Sequence, residues 1–152
     1  MGNEQFSVGD RVRWGSEEEG VVIGVIDTGI HPGHPSFAAV AALDGHAHVN
    51  PRGRFFGLCV LGLATCNNKL IGVWDFTSGS ASTEPDNGLD VDGHGSHVAA
   101  SAAGNAVRIS RILPGGGSFQ ATIRGVAPRA HLISYKACEG GEVGCPSSWT
   151  LA

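Results

Sequence analysis

Gly20-Val21-Val22-Ile23-Gly24-Val25-Ile26-Asp27-Thr28-Gly29 decides the fold. Val21 to Ile26 is a short, continuous apolar run rich in β-branched residues. A parallel strand buried on both faces reads this way, whereas a half-exposed strand alternates. Asp27-Thr28-Gly29 closes the run with turn chemistry, and His31-Pro32-Gly33-His34-Pro35 cannot prolong it. Working outward, Lys69 to Phe76 reads as a second strand and His131 to Lys136 as a third. Between them, Gly95 to Ala103 reads as a short helix of small residues, able to lie close to a sheet, with Gly104-Asn105 as its stop. Strands alternating with helices predict an α/β fold built on a parallel sheet with right-handed crossovers. In such sheets the functional crevice lies outside the carboxyl ends of the strands, where Asp27 stands.

The remaining stretches organise around that core. Residues 1–19 form an N-terminal polar segment, with Trp14 as its large anchor and Glu17-Glu18-Glu19 as a solvated run. Residues 38–66 read as irregular and Thr77 to Asp92 as a polar loop. Ile109 to Ala121, interrupted by Pro114-Gly115-Gly116-Gly117, reads as a surface hairpin, and Ser147 or Ser148 as the cap of a further helix. There is no internal repeat.

Composition narrows the function classes. The 152 residues suit one domain or part of one, at 41% apolar and only 16% charged. The 24 glycines follow no fixed period and are separated by apolar runs, which indicates tight turns and close backbone approaches. A net charge of −4 without a basic stripe argues against nucleic acid as a partner. No apolar stretch approaches the ~20 residues of a membrane span, so no membrane partner is expected either. No secretion signal opens the chain, and Phe6 occupies the position where a myristoylation motif needs Ser or Thr.

The 4 cysteines permit more than one pairing, or free buried thiols. Cys59 with Cys66, and Cys138 with Cys145, each bracket a short loop that a tight turn brings within bonding range, and these two pairings are favoured. Two such bridges would contribute about 2.5 kcal/mol each by loop entropy and would imply an oxidising compartment. Neither spacing is Cys-x-x-Cys, which weighs against zinc.

The chemistry resides in Asp27 and in a second stretch, Asp92-Gly93-His94-Gly95-Ser96-His97-Val98-Ala99. His94 opens the small-residue helix, where the positive end of the dipole favours neutral imidazole. A carboxylate facing it acts the opposite way and stabilises the imidazolium once formed. An imidazole balanced between the two is suited to general-base work, with Asp27 accepting from Nδ1 and Nε2 left for a serine hydroxyl. His97 follows His94 by one turn, but the Glu of a His-Glu-x-x-His zinc motif is absent, so no metal ligand is assigned. His31, His34, His46 and His48 read as loop histidines. The glycines of 115–117 lack the Gly-Lys-Ser ending of a phosphate loop, and no Gly-x-Gly-x-x-Gly follows the first strand. A small α/β nucleotide-binding protein stays as one further reading, which a nucleotide titration tests.

These residues resemble the subtilisin-like serine proteases, or subtilases. Val22 to Gly29 is similar to the family's aspartate motif and His94 to Ala99 to its histidine motif, with Ala100 a mild departure. His34-Pro35-Ser36-Phe37, Cys66-Asn67-Asn68-Lys69-Leu70-Ile71-Gly72 and Gly125-Val126-Ala127-Pro128-Arg129-Ala130 fit the family between them, most closely its secreted branch common in plants.

The resemblance implies a partial subtilisin-like parallel sheet flanked by helices. Residues 20–152 would be the N-terminal portion of a catalytic domain, truncated before the half that bears the nucleophile. It implies serine-type endopeptidase chemistry with Asp27 and His94 as catalytic charge-relay residues, peptide or protein as substrate, and an extracellular or secreted location. The segment from Cys138 to Ser147 would form an edge strand beside the substrate. Cofactors are expected to be none, structural calcium being a family property with no site assignable here. No serine among the 152 residues stands in the family's nucleophile context, and Asn105 is not its oxyanion asparagine. The expected partner is therefore the missing C-terminal part of the catalytic domain, without which the chain is inactive. The alternative is a non-catalytic binding or inhibitory fragment that pairs through an open sheet edge.

Overall fold

A computed structural model of the chain describes residues 21–77, 86–140 and 144–147. The N-terminal polar segment with its Glu17 to Glu19 run lies outside the described residues, as do most of the polar loop after Thr77 and the helix body after Ser147. Six strands and one α-helix are formed among the described residues. The strands are β1 (Val22–Asp27), β2 (Phe56–Gly57), β3 (Leu70–Asp75), β4 (Val107–Ile112), β5 (Ser118–Ile123) and β6 (His131–Lys136), and the helix is α1 (His94–Ala103).

Four strands make one parallel sheet in the order β1-β6-β3-β2. The three apolar runs read from the sequence are its three longest members, while β2 arises inside the stretch read as irregular. Phe56 and Gly57 are too few to carry a periodic signal; Gly57 turns at φ 60° under the ring of Trp74. Register aligns Asp27 with Lys136 and Lys136 with Asp75, so three strands end at one level on charged residues.

One face of the sheet carries the core. Val25, Leu70, Val73 and Leu132 pack with Ile30, Phe37, Ala99, Ala103 and Ala130, all buried. Alanines on the inner side of α1 let it lie close to β1 and β6, the approach its composition permits. The opposite face is an aromatic row, with Trp74 stacked on Tyr135 at 5.2 Å and flanked by Phe56 and Phe76. Strands β4 and β5 form the separate antiparallel hairpin expected from the glycine turn, and Ile112, Phe119 and Ile123 on it face solvent. The cysteines bond as Cys59–Cys66 and Cys138–Cys145.

A polar cluster sits where α1 ends. Asn105 donates through Nδ2 to Ala38 O at 2.9 Å, and its Oδ1 lies 2.8 Å from His48 Nε2. His48 is indeed in a loop, yet buried, its ring edge-on to His131 at 5.7 Å. His131 Nδ1 donates to Asn68 O at 2.6 Å. Lys69, also fully buried, donates through Nζ to the carbonyls of Pro128 and Ala130, both at 2.6 Å. Burial holds its amine down at about 7. Sequence reading gave Lys69, His48 and Asn105 no place in the interior, whereas His131 falls in a strand read as buried.

Candidate active site

Strand β1 delivers Asp27 to the carboxyl end of the sheet, and helix α1 begins at His94 directly beside it. His94 Nδ1 lies 2.8 Å from Asp27 Oδ1 across 67 residues of sequence. An ionised carboxylate only accepts, so Nδ1 carries the proton and the free lone pair belongs to Nε2. The Asp27 side chain is 14% exposed and the His94 side chain 67%. The acid is thus partly shielded while the imidazole faces solvent. Thr28 N–H adds a 2.7 Å bond to the same Asp27 oxygen and fixes the carboxylate from behind.

The His94 imidazole is held above its ordinary value of 6.5, chiefly by the hydrogen bond to Asp27 and then by that carboxylate's charge; Asp92 and Asp90 add to it and desolvation opposes it. Of the two opposing influences read from the sequence, carboxylate and helix dipole, the carboxylate is the one that raises the imidazole here. It is in direct contact, whereas the partial charge at the helix start is spread over several N–H groups.

That helix start is capped from a distance. Gly93 precedes it at φ 101° and has no side chain to cap with. Instead His94 N–H donates to Asp92 Oδ1 at 3.2 Å, Gly95 N–H to Thr28 Oγ1 at 2.8 Å and Ser96 N–H to Asp90 Oδ2 at 2.7 Å. Gly93 N–H donates to Asp90 Oδ1 at 2.8 Å, as does the Thr28 hydroxyl. Burial pushes the Asp90 carboxyl upward, but the bonds from Ser96, Gly93 and Thr28 outweigh it and hold it below its usual value.

Two glycines make the approach sterically feasible. A Cβ on Gly95 would overlap the Gly29 carbonyl and stand 3.1 Å from Thr28 N. Gly29 turns at φ 111°, and a Cβ there would lie 2.6 Å from Gly88 O. Thr28, Asp90, Gly95 and Ser96 therefore belong to the site although sequence reading singled out only Asp27 and His94. The one signal available was the density of Asp, Gly and Ser around His94, ordinary helix-start chemistry that points to no particular partner.

His97 is exposed. Among the described residues no group of three or more His, Cys, Asp or Glu side chains gathers in a form that could hold a metal ion. Glu139 pairs antiparallel with Gly144 within the segment expected to flank the substrate, while residues 141–143 of that segment lie outside the described residues.

A carboxylate on a strand end, bonded to an imidazole on a helix start over a parallel α/β sheet, is a pair able to take up and pass on a proton. Comparison with known proteins gives it a family. The model of the subtilase family matches residues 18–152, and the chain belongs to that family. It is 40% identical to the subtilisin-like protease SBT4.6 of Arabidopsis thaliana over 136 residues, 89% of this chain and 17% of that protein. To SBT2.4 of the same plant it is 40% identical over 130 residues, 78% of this chain and 15% of that protein. The chain therefore spans less than a fifth of the curated relatives it matches.

Proposed function

We propose that residues 20–152 form the N-terminal portion of the catalytic domain of a serine endopeptidase, with Asp27 and His94 as two members of its charge relay. The observation that carries this reading is the 2.8 Å bond from His94 Nδ1 to Asp27 Oδ1, with the imidazole exposed on its far side. Asp27 fixes the tautomer and ring orientation, and His94 Nε2 removes the proton of an incoming serine hydroxyl as that oxygen attacks a peptide carbonyl. His94 then gives the proton to the leaving amine. The nucleophilic serine and the oxyanion donor come from polypeptide outside these 152 residues, in keeping with the small share of each relative that the chain spans. Peptide or protein is the substrate. The two disulfides favour an oxidising, extracellular setting.

Because the base must be neutral to work, activity rises with pH through the His94 midpoint, which lies above 6.5. The test is peptide turnover by a polypeptide extended to include the serine-bearing part, with Asp27→Asn expected to lower kcat by roughly 10⁴-fold. A full-rate Asp27→Asn enzyme would overturn the assignment. The 152 residues alone are expected to turn over no peptide and to take up no serine-directed label.

One observation favours a second reading. Among the described residues β1 has β6 on one side and no strand on the other, and Ile26 on it is 64% exposed. An open edge of this kind can add a strand from a partner. On that reading an extended peptide binds the 152-residue chain stoichiometrically without being cleaved.

A further inference from the structure

We infer that Thr28 and Asp90 form a positioning clamp that holds the first turn of α1 against the end of β1, setting His94 at bonding distance from Asp27. The inference rests on the reading of Asp27 and His94 as a working couple. Thr28 immediately follows Asp27, and Gly95 immediately follows His94. The Thr28 hydroxyl joins these neighbours directly, accepting from Gly95 N–H at 2.8 Å while donating to Asp90 Oδ1 at 2.8 Å. Asp90 takes up the rest of the turn through Gly93 N–H and Ser96 N–H. Backbone bonds from Ile30 N–H to Gly88 O and from Asp90 N–H to Ile30 O anchor the acid to the chain just beyond β1.

Both side chains are nearly excluded from water, Thr28 at 8% exposure and Asp90 at 7%. Solvent cannot readily substitute for either bond. Asp90 lies behind the helix start and acts on His94 through the backbone, which makes it a positioning residue and not a catalytic one. The couple itself is exposed on the His94 side and has a single side-chain bond to hold it, so its geometry depends on where the two backbones are placed.

Changing Asp90 would also remove a charge near His94, so Thr28 is the informative position. Histidine titration by NMR on the 152-residue chain compares the parent with Thr28→Val, Thr28→Ser and Asp27→Asn. Thr28→Val keeps the volume and removes the hydroxyl. It is expected to lower the His94 midpoint toward that of Asp27→Asn and to weaken the Nδ1–H resonance, while Thr28→Ser restores both. A folded Thr28→Val chain with the parent midpoint and resonance overturns the clamp. If Thr28→Val does not fold, Thr28→Cys, of similar volume and weak donor strength, is read by the same two outcomes. Asp27→Asn separates the two levels of argument. If it leaves the His94 midpoint unmoved, the couple itself fails; if it lowers that midpoint and the Thr28 variant does not, the clamp alone fails.

Discussion

The two ends of helix α1 each hold a histidine, and the two are treated in opposite ways. At the start, His94 is exposed and bonded to a carboxylate, and its imidazole is held above 6.5. Beyond the other end, His48 is buried against Asn105, and its imidazole is pushed down to about 4, first by burial and then, against the help of Asn105, by the nearby charges of Lys69, His46 and His131. The lesson concerns what surrounds an imidazole and not where it lies in a helix. A carboxylate plus access to solvent makes a group that can take a proton and pass it on. Burial among amides and cations makes one that stays neutral and serves as a structural donor. The exposed histidine suits chemistry, and the buried one ties the loop at 38–50 to the end of the helix.

The severest test of the contrast is steric. Gly95→Ala puts a methyl group into the Gly29 carbonyl, separating α1 from β1 at the start of the helix while leaving the Asn105 end untouched. It is expected to cost about 3 kcal/mol in urea unfolding, at the upper end for overpacking, and to uncouple His94 from Asp27. An unchanged unfolding midpoint would mean that the two elements are not held at contact.

The buried end is sharpened by pH. The folded chain binds the His48 proton only near 4, whereas the unfolded chain binds it near 6.5. Stability from this group is therefore complete above pH 6.5 and is lost as the pH falls through the window down to about 4. The loss amounts to roughly 3 kcal/mol at most. His48→Gln can still donate to Asn105 but does not titrate, and should flatten this part of the pH–stability curve. Were the curve unaltered by His48→Gln, the acid sensitivity would belong to another group.

The exposed end predicts a smaller thermodynamic signature. Asp27→Asn should lower the His94 midpoint, read from its ring proton shifts, with little change in the unfolding midpoint. The sign follows from the raised value. Imidazolium is favoured by the folded pair, so its contribution is present at acid pH and disappears as the pH rises through the folded midpoint.

Much of this molecule could be read in order along the chain. The β-branched run ending at Asp27 and the stretches ending at Phe76 and Lys136 announce strands of a parallel sheet, although among the described residues β1 stands at its edge with Ile26 exposed, and the small residues after His94 fit a helix that lies close. The edge strand at Phe56 escaped notice because two residues carry no period. Lys69 and His48 escaped because their type argues for the surface, and only carbonyls and an amide supplied by distant segments make their burial tolerable.

Sequence by itself determined the parallel α/β plan, the end of the sheet where chemistry could occur, and the acid and imidazole that suit it. Tertiary structure alone decided that their atoms stand 2.8 Å apart, that Thr28 and Asp90 brace them, and which histidine is exposed and which is enclosed. The division has a physical cause. Strand and helix tendencies come from near neighbours along the chain, whereas the bond from Thr28 to Gly95 crosses 67 positions and exists only once sheet and helix have docked.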